Sequence, residues 1–155
     1  MGILNITPDS FSDGGKFTTY EKVLNRAIEI QKEGADILDI GAQSTRPGFT
    51  KISAEEEWKR LNPFLADIRK NVSIPISIDT FYPEVAKKAI DFGIDIINDV
   101  SGTENTDMIK VVKESGCGII ITHCFENLDI KSFFENKLNE LVKHKVNPEN
   151  ICFDP

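Results

Sequence analysis

One unit recurs along this chain and narrows what it can fold into: a short Ile-rich run, a polar tip, an amphipathic stretch and a closing Gly. The runs are MGILNIT, DILDIG, IPISIDT, DIINDV, GIIITH and ICFDP. Each has strand length and lacks clean alternation of polar and apolar residues, the pattern of strands covered on both faces in a parallel sheet. The stretches between them carry helix signals. Thr18-x-x-Glu21, Ser53-x-x-Glu56 and Ser132-x-x-Glu135 read as capping boxes. Pro83 suits a first helical turn, and Gly34, Gly93 and Gly116 stand where helices should end. Pro63 is expected to kink or divide the helix that contains it. Strands alternating with helices of this length predict βαβ units and an α/β fold.

Two units align residue for residue. GADILDIG and GIDIINDV both run Gly, apolar, Asp, two apolar residues and then a polar one, Asp39 or Asn98. The polar residues also share a direction: Asn5, Asp79, Asn98, His123 and Asp154 all fall near the C-terminal ends of their strands. An amide or carboxylate inside a strand is costly without a partner. In a βα-barrel those strand ends converge on the face that carries active sites, and in an open α/β sheet they also lie on the ligand side. The pattern therefore points to a site without choosing the architecture.

Composition limits the function. A chain of 155 residues, 40% hydrophobic and 28% charged, fits a single soluble domain spanning residues 1–155. The net charge of −7 argues against nucleic acid and polybasic membrane-surface binding. No apolar run nears the ~20 residues of a membrane helix, and the N-terminus has no basic stretch before an apolar one. Cys117, Cys124 and Cys152 are odd in number and form no CxxC pair, so reduced, buried thiols and a cytoplasmic setting are expected.

The opening stretch, MGILNITPDSFSDGG, together with DIGAQSTRPG, SIDT, INDVSG and a closing FDP, resembles the successive signatures of the dihydropteroate synthase family, in that family's order and over nearly the whole chain. The resemblance implies a (β/α)8 TIM barrel. It also implies the folate-pathway condensation of 6-hydroxymethyl-7,8-dihydropterin diphosphate with p-aminobenzoate to 7,8-dihydropteroate and diphosphate. It assigns Asp79, Asn98 and Asp154 to the pterin pocket, a set that suits a heterocycle edge carrying N–H donors and a carbonyl. Ser44, Thr45 and Arg46, with Pro47 beside them, resemble a second loop that meets diphosphate and frames the aminobenzoate; a guanidinium fork suits phosphate. In the first loop, Asn5 would reach a Mg²⁺ bridging the diphosphate, Asp13 would stabilise positive charge as the carbon–oxygen bond opens, and Phe11 would pack near the aminobenzoate ring. His123 reads equally well as a structural histidine, and His144 as a solvated one.

The chain also departs from the family pattern. Ala42-Gln43 stands where Gly-Glu is common, HCFENLDIKSF is shorter than its counterpart, and the first strand begins at Met1. Asp154-Pro155 falls where the family continues into two further βα units. A barrel shortened after its sixth strand is therefore expected, with two consequences: a chain weakly active or inactive by itself, or one that closes by pairing with a second copy as a homodimer. Two other readings stand beside the synthase: a pterin-binding methyltransferase, and a pterin-binding module without turnover.

Overall fold

The computed structural model describes residues 1–7, 16–43, 51–103, 105–123 and 129–155, with the side chains of residues 16–19 excepted. Six strands and five helices alternate. They are β1 (Gly2–Asn5), α1 (Lys16–Lys32), β2 (Leu38–Gly41), α2 (Ala54–Asn71), β3 (Ile76–Asp79), α3 (Pro83–Asp91), β4 (Ile96–Asp99), α4 (Thr106–Ser115), β5 (Gly118–Thr122), α5 (Ile130–Lys143) and β6 (Ile151–Asp154). A 3-10 turn, Pro148–Asn150, leads into β6.

All six strands pair in parallel, in the order β1-β2-β3-β4-β5-β6. This order decides between the two architectures left open by the sequence. A doubly wound sheet reverses its strand order at a switch point, whereas sequential order with right-handed crossovers puts every helix on one face, as in a barrel. Successive helices α1 to α4 accordingly pack against one another.

The sheet thus has two unlike faces. Leu4, Leu38, Ile40, Ile76, Ile78, Ile97, Ile119 and Ile121 are buried. They meet the inward stripes of the helices: Val23, Ala27 and Ile30 on α1, Leu61, Leu65 and Ile68 on α2, Val85 and Ala89 on α3, and Met108 and Val112 on α4. The intervening strand positions, which point the other way, hold Ile3, Asn5, Asp39, Gly41, Ser77, Asp79 and Asn98. The strands are covered on both faces as expected, for Asp39 and Ser77 are buried too, but the expected lack of alternation is corrected. Leu38-Asp39-Ile40-Gly41 and Ile76-Ser77-Ile78-Asp79 alternate strictly, because helices cover only one side.

Several terminal signals hold and others shift. Ser53 caps α2, its side chain accepting from Glu56 N, and Pro83 opens α3. Gly116 closes α4 at φ 71°, a left-handed backbone that favours glycine. The box at Ser132 is displaced: Asp129 is the cap of α5 and accepts from Ser132 N, since its carboxylate stands three residues earlier in the right register. The third box fails as well, for α1 begins at Lys16, upstream of Thr18. Pro63 does not divide α2, which runs unbroken from Ala54 to Asn71. Two of the thiols expected to be buried are not: Cys152 is exposed and Cys117 half-buried, both free, while Cys124 lies outside the described residues.

The helix-facing side leaves no slack at β1. A Cβ on Gly2 would collide with Cγ2 of the buried Ile30 and lie 3.1 Å from the Ala35 Cβ. Gly2→Ala is expected to cost about 1–3 kcal/mol, because the branched Ile30 cannot swing aside. Urea denaturation should show the midpoint falling with an unchanged slope.

Candidate functional site

The strand register brings the polar tips to one level. Asn5 pairs with Gly41, Gly41 with Asp79, and Asp79 with Asn98. Gly41 is the gap in this row. A Cβ there would lie 3.2 Å from Asn5 Oδ1 and 3.3 Å from Asp79 Oδ2, so the two oxygens flank one small space across β1, β2 and β3.

One layer deeper lies a residue that the sequence showed only as part of a repeat. Asp39 is 4% exposed and accepts hydrogen bonds from Ser77 Oγ and from Asn98 Nδ2, the latter at 3.3 Å. A carboxylate that only accepts must meet the amide's NH2 end, so Asp39 fixes the orientation of Asn98. The other end of that amide, Oδ1, then faces the site, buried and with no partner among the described residues. An orphaned buried acceptor costs about 1–3 kcal/mol, a cost that a donor-bearing ligand removes. Asp79 beside it is half-buried, and no hydrogen bond or ion pair engages its carboxylate among the described residues.

The electrostatics agree. Burial, then the carboxylates of Asp39, Glu57 and Asp99, push Asp79 up to about 7. Burial likewise raises Glu57 to about 7, against the lowering effect of its Thr80, Arg60 and Gln43 neighbours. Asp39 and Asp99 are also raised, chiefly by burial. Four carboxyls thus surround strand tips with little cationic compensation, and two of them hold or release protons near neutrality. Asp39, Glu57 and Asp99 already accept from neighbouring groups, which leaves Asp79 as the carboxyl that can accept an N–H donor from a flat ligand and adjust its charge to it.

The remaining sequence candidates fall elsewhere. Asp154 ends β6 on the same face, two strands beyond Asn98, and its side chain is exposed. His123 follows β5, donates its backbone N–H to Asp154 O at 2.9 Å, and packs its ring edge-on against Phe133. Phe11, Asp13, Ser44, Thr45, Arg46 and Pro47 lie outside the described residues. The sequence reading passed over Asp39, Ser77 and the buried Glu57. Period-two alternation marks the first two as inward-facing. Glu57 was also legible, because it stands four residues before Leu61 on the stripe that continues through Leu65 and Ile68.

The whole chain, residues 1–155, matches the family of pterin binding enzymes. The chain belongs to that family. Among curated proteins, the chain is 41% identical over 163 residues to the dihydropteroate synthase of Clostridium beijerinckii, covering all of this chain and 61% of that protein. It is 53% identical over 127 residues to the mitochondrial folate synthesis bifunctional protein of Arabidopsis thaliana, covering 79% of this chain and 23% of that one. Among solved structures, the Clostridium difficile dihydropteroate synthase, determined in the presence of pteroic acid, superposes with a TM-score of 0.93 at 36% identity, covering 100% of this chain and 62% of that one. The Xanthomonas albilineans enzyme with 4-aminobenzoic acid gives 0.92 at 33%, covering 100% and 60%. The chain therefore spans about three-fifths of the length of these synthases, and its TIM-barrel fold class is shown.

The raised carboxyls fix a pH dependence. A folded Asp79 and Glu57 hold protons that the unfolded chain releases at the ordinary values of 3.8 and 4.5. Their contribution to stability is complete below those values and is lost as pH rises through about 7. Urea denaturation of the unliganded chain should show a loss on the order of 3 kcal/mol between about pH 5 and 8 attributable to this pair. Asp79→Asn should be more stable than the parent at the upper pH and gain nothing at the lower.

Proposed function

We propose that this chain carries the substrate site of a dihydropteroate synthase, which joins 6-hydroxymethyl-7,8-dihydropterin diphosphate to p-aminobenzoate in folate synthesis. The observation that carries this reading is the buried, unpartnered Asn98 Oδ1 beside the half-buried Asp79 carboxyl, which accepts no hydrogen bond among the described residues, at adjacent strand tips. A pterin edge offers the N–H donors both lack. A site that binds through buried acceptors discriminates strongly against analogues without the donors, because those acceptors would be stranded. Asp154 supplies a third acceptor in this reading, its exposed position giving it the outer edge of the ligand.

The chemistry follows from where charge appears. The methylene carbon–oxygen bond breaks, the electron pair leaves with diphosphate, the arylamine nitrogen forms the new carbon–nitrogen bond, and the amine gives up a proton. Asp39 holds Asn98 so that the pterin lies in a fixed plane, and Asp79 settles the charge of the bound ring. In the same reading Arg46, Ser44 and Thr45 meet the diphosphate, Asp13 faces the carbon where positive charge develops, and Phe11 and Pro47 border the aminobenzoate. Asn5 fits a Mg²⁺: its carbonyl oxygen is exposed beside Asp79 Oδ2 over the empty side-chain position of Gly41, and a hard cation takes oxygen donors that it shares with phosphate. When bound, the cation would neutralise charge on the departing diphosphate.

A cytoplasmic setting belongs to this reading, supported by the free Cys117 and Cys152. No helix among the described residues is long and apolar enough to cross a membrane. A homodimer also belongs to it, supported by apolar side chains left exposed, Ile3 on the inner sheet face and Ile130 and Val142 on α5.

Calorimetry with the pterin diphosphate and Mg²⁺, followed by addition of p-aminobenzoate and a product assay, tests the reading. Asp79→Ala should weaken pterin binding roughly 30-fold, about 2 kcal/mol. Unchanged affinity in that variant sinks the assignment.

A further inference from the structure

Glu57 is completely buried, yet it comes from the helix layer rather than from a strand tip. Its position on the inward stripe of α2 calls for an apolar residue, and a leucine would fill it without the cost of desolvating a carboxylate. The structure shows what the carboxylate does there. Glu57 Oε2 accepts from Gln43 Nε2 at 2.9 Å, and Oε1 accepts from the Thr80 hydroxyl. Gln43 follows β2, and Thr80 follows Asp79 at the tip of β3. Both partners pass the connection on. Gln43 Oε1 accepts from Ile52 N at 3.3 Å, and Thr80 Oγ1 accepts from Tyr82 N at 3.1 Å. The Tyr82 hydroxyl then donates to Ile52 O, closing the circuit.

Other contacts brace the same frame. Arg60, one turn along α2, donates to Ala42 O at 3.2 Å. The Lys51 ammonium lies 4.2 Å from the centre of the Phe81 ring and 5.2 Å from that of Tyr82. Thr80 N bonds Asn98 O at 3.1 Å, which joins this frame to the pterin-facing strand tips. These contacts reach two chain points, Ala42-Gln43 just after β2 and Lys51-Ile52 just before α2: α2 holds the first through Glu57 and Arg60, and Phe81 and Tyr82 at the start of α3 hold the second.

We propose that Glu57 is a positioning residue whose buried carboxylate, through Gln43, Thr80, Tyr82 and Ile52, holds the two chain points Ala42-Gln43 and Lys51-Ile52 in fixed register with the Asp79 strand tip. The segment between those points carries Ser44, Thr45 and Arg46. The inference therefore rests on the reading in which these residues meet the diphosphate, and it adds the element that fixes where they start and end. Glu57 touches no substrate in this account. It acts through its partners.

The distinguishing measurement is a ratio. Affinities for 6-hydroxymethylpterin and for its diphosphate, both with Mg²⁺, are measured by calorimetry on the whole chain, and their quotient isolates what the diphosphate adds. Glu57→Ala should reduce that quotient about tenfold while leaving 6-hydroxymethylpterin affinity within about threefold. Glu57→Gln should restore most of the loss, since its Oε1 can accept from Gln43 while the Thr80 hydroxyl turns to accept from the new amide. Tyr82→Phe, which deletes only the bond to Ile52 O, should lower the quotient about threefold, and it carries the test should Glu57→Ala fail to fold by circular dichroism. An unchanged quotient in folded variants, or an equal loss of both ligands, overturns the proposal and leaves Glu57 a core residue. Should the parent chain bind neither pterin, the reading of the site fails and takes this proposal with it.

Discussion

A carboxylate taken out of water needs either neutral donors around it or a proton on it, and this fold is arranged about that requirement. Asp39 meets it with Ser77 and the amide of Asn98, Glu57 with Gln43 and Thr80. Asp79, with no donor among the described residues, meets it in the second way, burial pushing it up to about 7 so that it holds a proton to near neutrality. The difference is functional. Asp39 and Glu57 are spent on holding neighbours in place, whereas Asp79 is left wanting a donor at the mouth of the sheet. Asn98 links the two conditions within one side chain, its NH2 committed inward and its oxygen uncommitted outward. A site that recognises donors by leaving acceptors unsatisfied accepts an energetic cost in the empty state, and ligand binding recovers it.

One-sided helix packing is what makes this arrangement available. A doubly wound sheet buries both faces against apolar helices and confines its polar residues to a crevice at the strand ends. Here the helices take only the face built from Leu38, Ile40, Ile76, Ile78 and Ile97, and the opposite face is free to be polar one residue deeper, at Asp39 and Ser77. The first layer of binding groups can then rest on a second layer of polar groups rather than on hydrocarbon. The close approach at Gly41 has the same origin, since a side chain there would fill the space between Asn5 and Asp79.

Much of this was legible in the sequence. The βα repeat, the strand count and the polar strand tips follow from short Ile-rich runs and helix caps, signals carried by neighbouring residues. The C-terminal positions of Asn5, Asp79 and Asn98 could be read for the same reason. The two-faced character of the sheet was not read, although LDIG and ISID alternate strictly, because Ile-rich neighbours such as GIIIT suggest burial on both sides. The cap at Asp129 lay beyond reach because Ser132 and Glu135 satisfy the same short pattern, and only the chain's path selects between them. Partnerships are the general limit: nothing local pairs Asn98 with Asp39, 59 residues away, or Thr80 with Glu57, 23 residues away.

Glu57 shows how far a single out-of-place residue can be followed. Amphipathic periodicity puts it on the inward stripe, where its charge is costly, and a costly group that is also fully hydrogen-bonded has a structural reason to be there. Its partners supply that reason, because each belongs to a different connection at the same end of the sheet. An apolar residue at the position would bury as much surface but could not specify direction, since dispersion contacts tolerate sliding where two converging hydrogen bonds do not. Binding chemistry that depends on placing a phosphate beside a fixed heterocycle needs that kind of angular control. In the proposed reading the strands provide it for the heterocycle through Asp39 and Asn98, and the helix layer provides it for the neighbouring segment through Glu57.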